Sequence, residues 1–301
     1  MAILLAAIVL LAAWFAWRPY QRARWRAAEA RLAQRLPLGS DGVARGAEPI
    51  VAGEFPRAAL LLHGFGDTPQ SLAYLAQRLL DAGWSVSAPL LAGHGRTLQA
   101  FHASRATDWL RSARDAFDAL AARHQTVVVC GQSMGAALAI DVAATRNVSA
   151  LALLAPYVAM PLGVRLGAAL WPLSQLVKPV LETLELGSIH DPEARAKSLG
   201  CGYTTPRLLA ELGSVVRRAT QQLRELRVAT LIVHSREDNR VAAAHVQRAA
   251  DSIVHPVKAL HWMSGCGHVL TADYCKDAVA TLVVDWFEQV NAARDAAATT
   301  R

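Results

Sequence analysis

Residues 126–145 read TVVVCGQSMGAALAIDVAAT, and this stretch gives the clearest indication of the fold. A β-branched run, Thr126–Cys130, predicts a buried strand, and the small-residue segment Gly135–Thr145 predicts a helix. Between them lies Gly-Gln-Ser-Met-Gly, with Ser133 at its centre. A serine on a sharp turn from strand to helix is held exposed on a strained backbone, and the flanking glycines let neighbouring elements approach it. This context favours Ser133 as a nucleophile over an idle serine in a glycine-rich turn.

Apolar runs on both sides of this stretch alternate with segments of helical periodicity. Strand–helix alternation predicts an α/β fold, in which a mostly parallel central sheet is flanked by helices on both faces. We expect the core to span residues 47–156 and 227–292. Its other strands are predicted at Ala58–Leu62, Trp84–Ala88, Ala150–Ala155, Thr230–His234 and Val257–Trp262.

A serine hydroxyl needs a base, and the base needs an acid that orients it. His268 lies in a glycine-bearing loop after the last predicted strand and before the last helix. Two acids, Glu237 and Asp238, follow the penultimate strand. The order serine, acid, histidine is the chain order of the catalytic triad in α/β-hydrolases. The sequence therefore predicts the α/β-hydrolase fold, with His268 as base and one of the two acids as its partner.

The chain resembles the small bacterial carboxylesterases and monoacylglycerol lipases of this superfamily over about residues 58–290. In that family an aspartate precedes an aliphatic residue by three positions, which fits Asp238 before Val241 and does not fit Glu237. One departure is a two-residue insertion in the family's Ser-Gly-His-Val. The segments that carry the resemblance are Leu60-Leu61-Leu62-His63-Gly64-Phe65, Ala88-Pro89-Leu90-Leu91-Ala92-Gly93-His94-Gly95, Asp108-Trp109 and Ser264-Gly265-Cys266-Gly267-His268-Val269.

The resemblance implies an oxyanion hole formed by the backbone N–H groups of Phe65 and Met134. It also implies a carboxylic ester hydrolase that forms an acyl-enzyme on Ser133. Substrates are expected to be small-molecule or lipid esters with short to medium acyl chains, monoacylglycerols included. The same triad also performs thioester, amide and carbon–carbon hydrolysis, and a non-catalytic membrane-anchored binding module is the alternative from another class.

Residues 157–226 are too long for an ordinary crossover between two strands and are partly apolar. We interpret them as a small helical cap inserted over the sheet. The alternative is that some of these helices simply cover a sheet face.

The first seventeen residues, MAILLAAIVLLAAWFAW, carry no charge and are followed by arginines. They predict a transmembrane anchor at 1–17 and a basic juxtamembrane linker at 18–46. The arginine excess on the C-terminal side predicts an inner-membrane protein with a cytoplasmic catalytic domain. The alternative is a cleaved signal peptide, which would place the enzyme in the periplasm or outside the cell.

Of the net charge of +7, residues 1–40 contribute +5 from six arginines and one acid, which leaves +2 for the remainder. A nucleic-acid partner is therefore not expected. No cofactor or metal is predicted, because no dinucleotide or phosphate-loop motif is present and the set Cys266, His268 and Cys275 matches no zinc pattern. Cys266 and Cys275 can pair if the domain is exported, or remain reduced in the cytosol. No obligate protein partner is inferred.

Overall fold

The computed structural model describes the backbone of residues 2–183 and 188–299 and the side chains of residues 15, 17–183 and 188–297. Its helices are α1 Ala2–Arg35, α2 Ala73–Asp81, α3 Leu98–Ala103, α4 Ala106–Ala121, α5 Met134–Thr145, α6 Leu162–Ala169, α7 Trp171–Val177, α8 Pro192–Lys197, α9 Pro206–Gln222, α10 Ala243–Ser252 and α11 Lys276–Thr299. Its strands are β1 Ile50–Ala52, β2 Arg57–Leu62, β3 Ser85–Ala88, β4 Thr126–Gln132, β5 Leu151–Leu154, β6 Leu181–Glu182, β7 Tyr203–Thr204, β8 Thr230–Ser235 and β9 Lys258–Met263.

The main sheet has the strand order β1-β3-β2-β4-β5-β8-β9. Strand β1 pairs with β3 antiparallel, and each of the other neighbouring pairs is parallel. The short edge strand β1 has no counterpart in the sequence prediction. The predicted α/β-hydrolase fold with a mostly parallel sheet is confirmed. Because β4 lies between β2 and β5, its carboxyl end, and with it Ser133, is near the middle of the sheet.

Strand β4 shows why the sheet is covered on both faces. Val127 and Val129 belong to the hydrophobic cluster on one face, which includes side chains of α4, α5 and α9. Val128 and Cys130 alternate with them and belong to the cluster on the other face, which includes side chains of α2 and α11. Successive strand residues point to opposite faces, so a continuous apolar run is the pattern of a strand buried on both sides.

The segment 157–226, predicted as one cap, divides into two parts. Helix α9 packs against α5 on one side of the core, and Leu208, Leu212 and Val215, which recur at helical spacing, are buried there. Helix α9 therefore belongs with the helices of the core and not with the cap. Before α9, the helices α6, α7 and α8 and the antiparallel pair β6–β7 form the part that lies outside the core layers. We call residues 157–205 without 184–187 the cap; residues 184–187 lie outside the described part.

The segment 18–46, predicted as a linker, is helical as far as Arg35 and packs against the core. Ala28, Leu32 and Leu36 are buried in the hydrophobic cluster of the α4–α5 face. The Glu29 carboxylate accepts hydrogen bonds from the backbone N–H groups of Leu98 and Gln99 at the start of α3. A carboxylate at a helix start satisfies N–H groups that lack helical partners, so this half of α1 is attached to the domain.

The predicted transmembrane anchor at 1–17 corresponds to the beginning of α1, where residue 1 and the side chains of residues 2–14 and 16 lie outside the described part. Among the residues that the structure describes, no helix has both the length and the apolar character needed to cross a bilayer. The N-terminal membrane helix stays a prediction from the sequence.

Candidate active site

Ser133 lies at a strained turn between β4 and α5. Its backbone has φ 58° and ψ −118°, in the half of the map that non-glycine residues seldom occupy. A Cβ on Gly135 would lie 2.0 Å from the Leu62 carbonyl oxygen, and one on Gly131 would lie 2.2 Å from the Gly135 carbonyl oxygen. Only glycine fits at either position, and this explains the two glycines that flank the serine at a spacing of two.

The structure brings Ser133, His268 and Asp238 into one hydrogen-bonded chain. The His268 Nε2 atom lies 2.7 Å from the Ser133 Oγ atom, and the Nδ1 atom lies 2.6 Å from an Asp238 carboxylate oxygen. Nδ1–H donates to the carboxylate, which leaves Nε2 free to accept the serine proton. This is the arrangement in which an imidazole removes the proton from a hydroxyl nucleophile.

Asp238, rather than its neighbour Glu237, contacts the histidine. The second Asp238 oxygen accepts hydrogen bonds from the backbone N–H groups of Arg240 at 2.7 Å and Val241 at 2.9 Å. Burial by itself raises the pKa of Asp238, but the hydrogen bond and charge of His268 and these N–H groups outweigh it, so the net pKa is lowered. The carboxylate is therefore ionised at neutral pH and fixed in place.

Glu237 has a different role beside the triad. One of its carboxylate oxygens accepts a hydrogen bond of 2.8 Å from the Gly265 N–H in the histidine loop. Its side chain is 47% exposed, whereas the side chain of Asp238 is 1% exposed. Glu237 thus holds the outer edge of that loop and does not reach the imidazole.

The two N–H groups predicted for the oxyanion hole lie on either side of the serine. Met134 is the first residue of α5, so its N–H has no partner within the helix. The Phe65 N–H makes no hydrogen bond within the part of the chain that the structure describes. A Cβ on the adjacent Gly64 would lie 3.3 Å from the Ser133 Cβ, which places this loop directly against the nucleophile. Donors in these positions can stabilise charge that develops on a carbonyl oxygen.

His63 holds the Phe65 loop in place. Its Nδ1–H donates to the Gly64 carbonyl at 2.9 Å, and its Nε2 accepts from the Leu91 N–H at 3.1 Å. Burial of the ring lowers the pKa of His63 to about 4, so the imidazole is neutral at physiological pH. His63 therefore has a structural part in the site.

Sequence reasoning missed two contacts that fix the histidine loop. The side-chain oxygen of Gln132 accepts a hydrogen bond of 2.7 Å from the Thr271 hydroxyl, which joins the serine turn to the loop after His268. The carboxylate of Asp273 accepts from four backbone N–H groups, and these bonds lower its pKa against the opposing effect of burial. Neither residue is marked by a motif, since Gln132 occupies the variable position of Gly-x-Ser-x-Gly. The four donors belong to His190, Asp191, Gly267 and Tyr274.

Cys266 and Cys275 form a disulfide with a Cα–Cα distance of 5.9 Å, and this bond closes the loop that contains His268. Cys130 and Cys201 are buried and free. Within the described residues, no group of three or more His, Cys, Asp or Glu side chains is arranged to hold a metal ion.

A cavity of about 250 Å³ opens beside the triad. Ser133, His268 and Phe65 line it from the core, and Tyr157 and Ile189 line it from the cap. Three arginines and one carboxyl group, that of Asp67, also reach its wall. Burial raises the pKa of the Asp67 carboxyl to about 6. The cavity therefore gives a small molecule access to the serine from the side of the cap.

A serine at a strand-to-helix turn, with an aspartate and a histidine in this chain order and the histidine hydrogen-bonded to both, is the arrangement of serine hydrolases of the α/β-hydrolase fold. The comparison with known families agrees. The model of the serine aminopeptidase S33 family of hydrolases matches residues 54–274, and the chain belongs to this family. The sequence-based recognition of this superfamily is confirmed, as is the class of enzyme, since named relatives are carboxylic ester hydrolases.

Two relatives and one solved structure illustrate the similarity. A thermostable monoacylglycerol lipase of Bacillus sp. (strain H-257) is 39% identical over 101 residues, which cover 34% of this chain and 40% of that protein. A carboxylesterase of Bacillus subtilis (strain 168) is 22% identical over 237 residues, covering 78% of this chain and 94% of that protein. A structure reported for the metagenome-derived lipolytic enzymes LipS and LipT has a TM-score of 0.74 and 26% identity, and covers 82% of this chain and 99% of that one.

Proposed function

We propose that the protein hydrolyses carboxylic esters through an acyl-enzyme on Ser133. The observation that carries this proposal is the hydrogen-bonded chain from Asp238 through His268 to Ser133, which faces the cavity. His268 takes the serine proton as the Oγ atom attacks the ester carbonyl, and the N–H groups of Phe65 and Met134 receive the charge on the carbonyl oxygen. His268 then returns the proton to the leaving alcohol.

Deacylation uses the same groups with water in place of the serine. His268 removes a proton from the water as it attacks the acyl-enzyme, and the carboxylic acid leaves as Ser133 recovers its proton. Asp238 remains ionised throughout and stabilises the imidazolium that forms at each step. Because the pKa of this carboxyl is lowered, it does not compete with the histidine for the proton.

The substrates that we propose are esters with short to medium acyl chains, monoacylglycerols included. An apolar groove of about 560 Å³ runs between α6, α7 and the start of α9, and Leu209 lines both this groove and the cavity at Ser133. An acyl chain that lies in this groove would extend from the serine into the space between cap and core. The names of the relatives, a monoacylglycerol lipase and a carboxylesterase, support this class.

A substrate panel tests the proposal. p-Nitrophenyl esters of increasing chain length, a monoacylglycerol and an acyl thioester are assayed with the wild type and with Ser133→Ala. We expect the esters to be hydrolysed and Ser133→Ala to lower kcat by a factor on the order of 10⁴ or more, because no other group can form the acyl-enzyme. Efficient thioester or peptide cleavage without ester hydrolysis would contradict the substrate class, and a Ser133→Ala variant with near-normal turnover would contradict the mechanism.

The location in the cell is a separate part of the proposal. The apolar residues 1–17 and the arginines after them support attachment to the inner membrane with the hydrolase domain in the cytoplasm. The Cys266–Cys275 disulfide supports the exported alternative, because the cytosol keeps thiols reduced. Cell fractionation with a carbonate wash, followed by alkylation and mass spectrometry of Cys266, distinguishes the cytoplasmic location from the exported one. Alkylated Cys266 in the membrane fraction would support the cytoplasmic side, and a periplasmic chain protected from alkylation would exclude it.

A further inference from the structure

The wall of the cavity beside Ser133 is positively charged. Arg35, Arg195 and Arg240 line it, and the carboxyl group of Asp67 is the acidic side chain among its described lining residues. An uncharged ester does not require three guanidinium groups beside the reacting serine. Lining of one dominant sign attracts and orients a ligand of the opposite charge.

Arg35 lies at the C-terminal end of α1, and its side chain lines the cavity. One of its terminal nitrogens donates to the carbonyl oxygens of Gly200 and Cys201, while its Nε is buried and has no acceptor among the described residues. The Cys201 N–H in turn donates to the Gly66 carbonyl, next to Phe65 of the oxyanion loop. Arg35 is therefore attached to the segment that contacts one side of the reacting centre.

Arg195 approaches from the other side, at the end of α8. A terminal nitrogen donates to the His190 carbonyl at 3.1 Å, and the Nε atom is also buried, with no acceptor in the part of the chain that the structure describes. His190 is joined through its own N–H to Asp273, which also binds the Gly267 N–H beside His268. Arg35 is thus hydrogen-bonded to the segment that contacts the oxyanion loop, and Arg195 is hydrogen-bonded to the segment that is joined to the histidine loop.

Neither Arg35 nor Arg195 forms an ion pair with a carboxylate among the residues that the structure describes. A buried guanidinium donor without an acceptor is unfavourable on its own. A planar guanidinium presents several N–H donors in a fixed arrangement that matches the oxygens of carboxylate and phosphate groups.

We propose that Arg35 and Arg195 form an anion subsite in the catalytic cavity, which binds an oxyanionic group carried by the ester substrate. The proposal rests on the ester hydrolysis proposed above and narrows its substrate class from neutral esters to anionic ones. The bound group is a phosphate or a carboxylate, which accepts hydrogen bonds from the guanidinium N–H groups. The group is either part of the alcohol, as in an acylglycerol phosphate, or at the far end of the acyl chain, as in a half-ester of a dicarboxylic acid.

Three esters of matched length test the subsite. They are 1-hexanoylglycerol, which is neutral, 1-hexanoylglycerol 3-phosphate, with the anion on the alcohol, and the glycerol monoester of adipic acid, with the anion on the acyl chain. Binding to the full-length Ser133→Ala protein is measured by calorimetry, so that turnover does not interfere. We expect at least one anionic ester to bind about tenfold more tightly than the neutral one, as charge-assisted hydrogen bonds would give. Which anionic ester is favoured identifies the source of the anion.

Arg195→Gln, in the same Ser133→Ala background, should remove most of that preference and change the binding of the neutral ester less than about twofold. Arg195→Lys should restore part of it, since it keeps the charge but not the planar donor set. Lys197→Gln is the matched control, because Lys197 is an exposed cation on the same helix that does not line the cavity. It should leave the preference unchanged.

The subsite is refuted if both anionic esters bind no more tightly than the neutral one, or if Arg195→Gln weakens all three equally. A loss of preference in Lys197→Gln equal to that in Arg195→Gln would also refute it, since general charge would then explain the effect. The proposed function is tested apart from this by turnover of 1-hexanoylglycerol in the wild type. Selective binding without hydrolysis of any ester would keep the subsite and refute the ester hydrolase.

Discussion

The loops around Ser133 are closely packed, whereas parts of the cap are open to solvent. Around the serine, backbone segments pack closely against each other, and a Cβ on Gly135 would lie 2.0 Å from a carbonyl oxygen. In the cap, Gly163 and Gly167 would meet nothing within 4 Å, and the side chains of Leu162 and Leu173 are 61% and 62% exposed. The core around Ser133 therefore leaves no room for an added methyl group, whereas these positions of the cap do.

The largest expected contrast lies within the core, between two neighbouring acids. Asp238→Asn should lower kcat by about 10³–10⁴, because an amide cannot stabilise the imidazolium or fix its tautomer. Glu237→Gln should cost less than about tenfold, since the Glu237 carboxylate contacts the Gly265 N–H and His190 and not the imidazole of His268. Steady-state kinetics on one p-nitrophenyl ester compares the two variants. A reversal of their severity would show that the acid had been misassigned.

A pair of glycine substitutions tests the contrast between core and cap directly. Gly135→Ala should destabilise the fold by about 3 kcal/mol or more and abolish activity, because the added methyl group overlaps the Leu62 carbonyl. Gly163→Ala, in α6, should be neutral or stabilise by up to about 1 kcal/mol, since alanine favours the helix and has open space there. Urea unfolding of both variants gives the comparison. Similar free energies of unfolding would show that the serine turn is not the tight region described.

The pH dependence of stability reports on the buried His63 beneath the oxyanion loop. Its pKa is about 4 in the folded protein and 6.5 when unperturbed, so the unfolded chain binds the proton first as pH falls. This group has no effect above pH 6.5, and below it the free energy of unfolding should fall by up to about 3 kcal/mol by pH 4. Urea unfolding between these limits measures the slope. His63→Gln should make it shallower, and an unchanged slope would exclude this cause.

The smallest effect is expected in the cap. Leu173 lines the apolar groove, whereas Leu162, which is equally exposed, does not. Leu173→Ala should lower kcat/KM for medium-chain esters relative to short-chain ones by a factor of about five, because one apolar contact gives about 1 kcal/mol. Leu162→Ala should leave the ratio unchanged. Equal chain-length profiles for both variants would place the acyl chain outside this groove.

Much of the core could be predicted from the sequence, because it depends on local patterns. The β-branched run of β4 and the small residues of α5 have one stable arrangement around Gly131 and Gly135. His268 follows from chain order. The choice of Asp238 over Glu237 depends on the family resemblance. The structure gives the physical reason for the spacing, since the Asp238 carboxylate accepts a hydrogen bond from the N–H of Val241, three residues further along the chain.

The remaining features depend on contacts between distant parts of the chain, which no local pattern encodes. The arginine-rich segment after residue 17 looked like a linker, yet Leu32 and Leu36 pack on the core and Arg35 reaches the cavity. The sequence prediction places α9 in the cap with the rest of residues 157–226, whose length and apolar content indicate an insertion. Amphipathic periodicity shows that a helix has a buried face but not which partner buries it. The role of Asp273 was missed for the same reason, because two of its four donors, His190 and Asp191, come from the cap.

Covalent labelling gives the most direct test of whether Ser133 is a nucleophile activated by His268. The full-length protein is treated with a fluorophosphonate probe, digested, and mapped by mass spectrometry, alongside the His268→Ala variant. We expect a single adduct on Ser133 in the wild type, and labelling slower by a factor on the order of 10³ or more when the base is removed. An adduct on another serine, or equal labelling rates in the two proteins, would contradict this expectation.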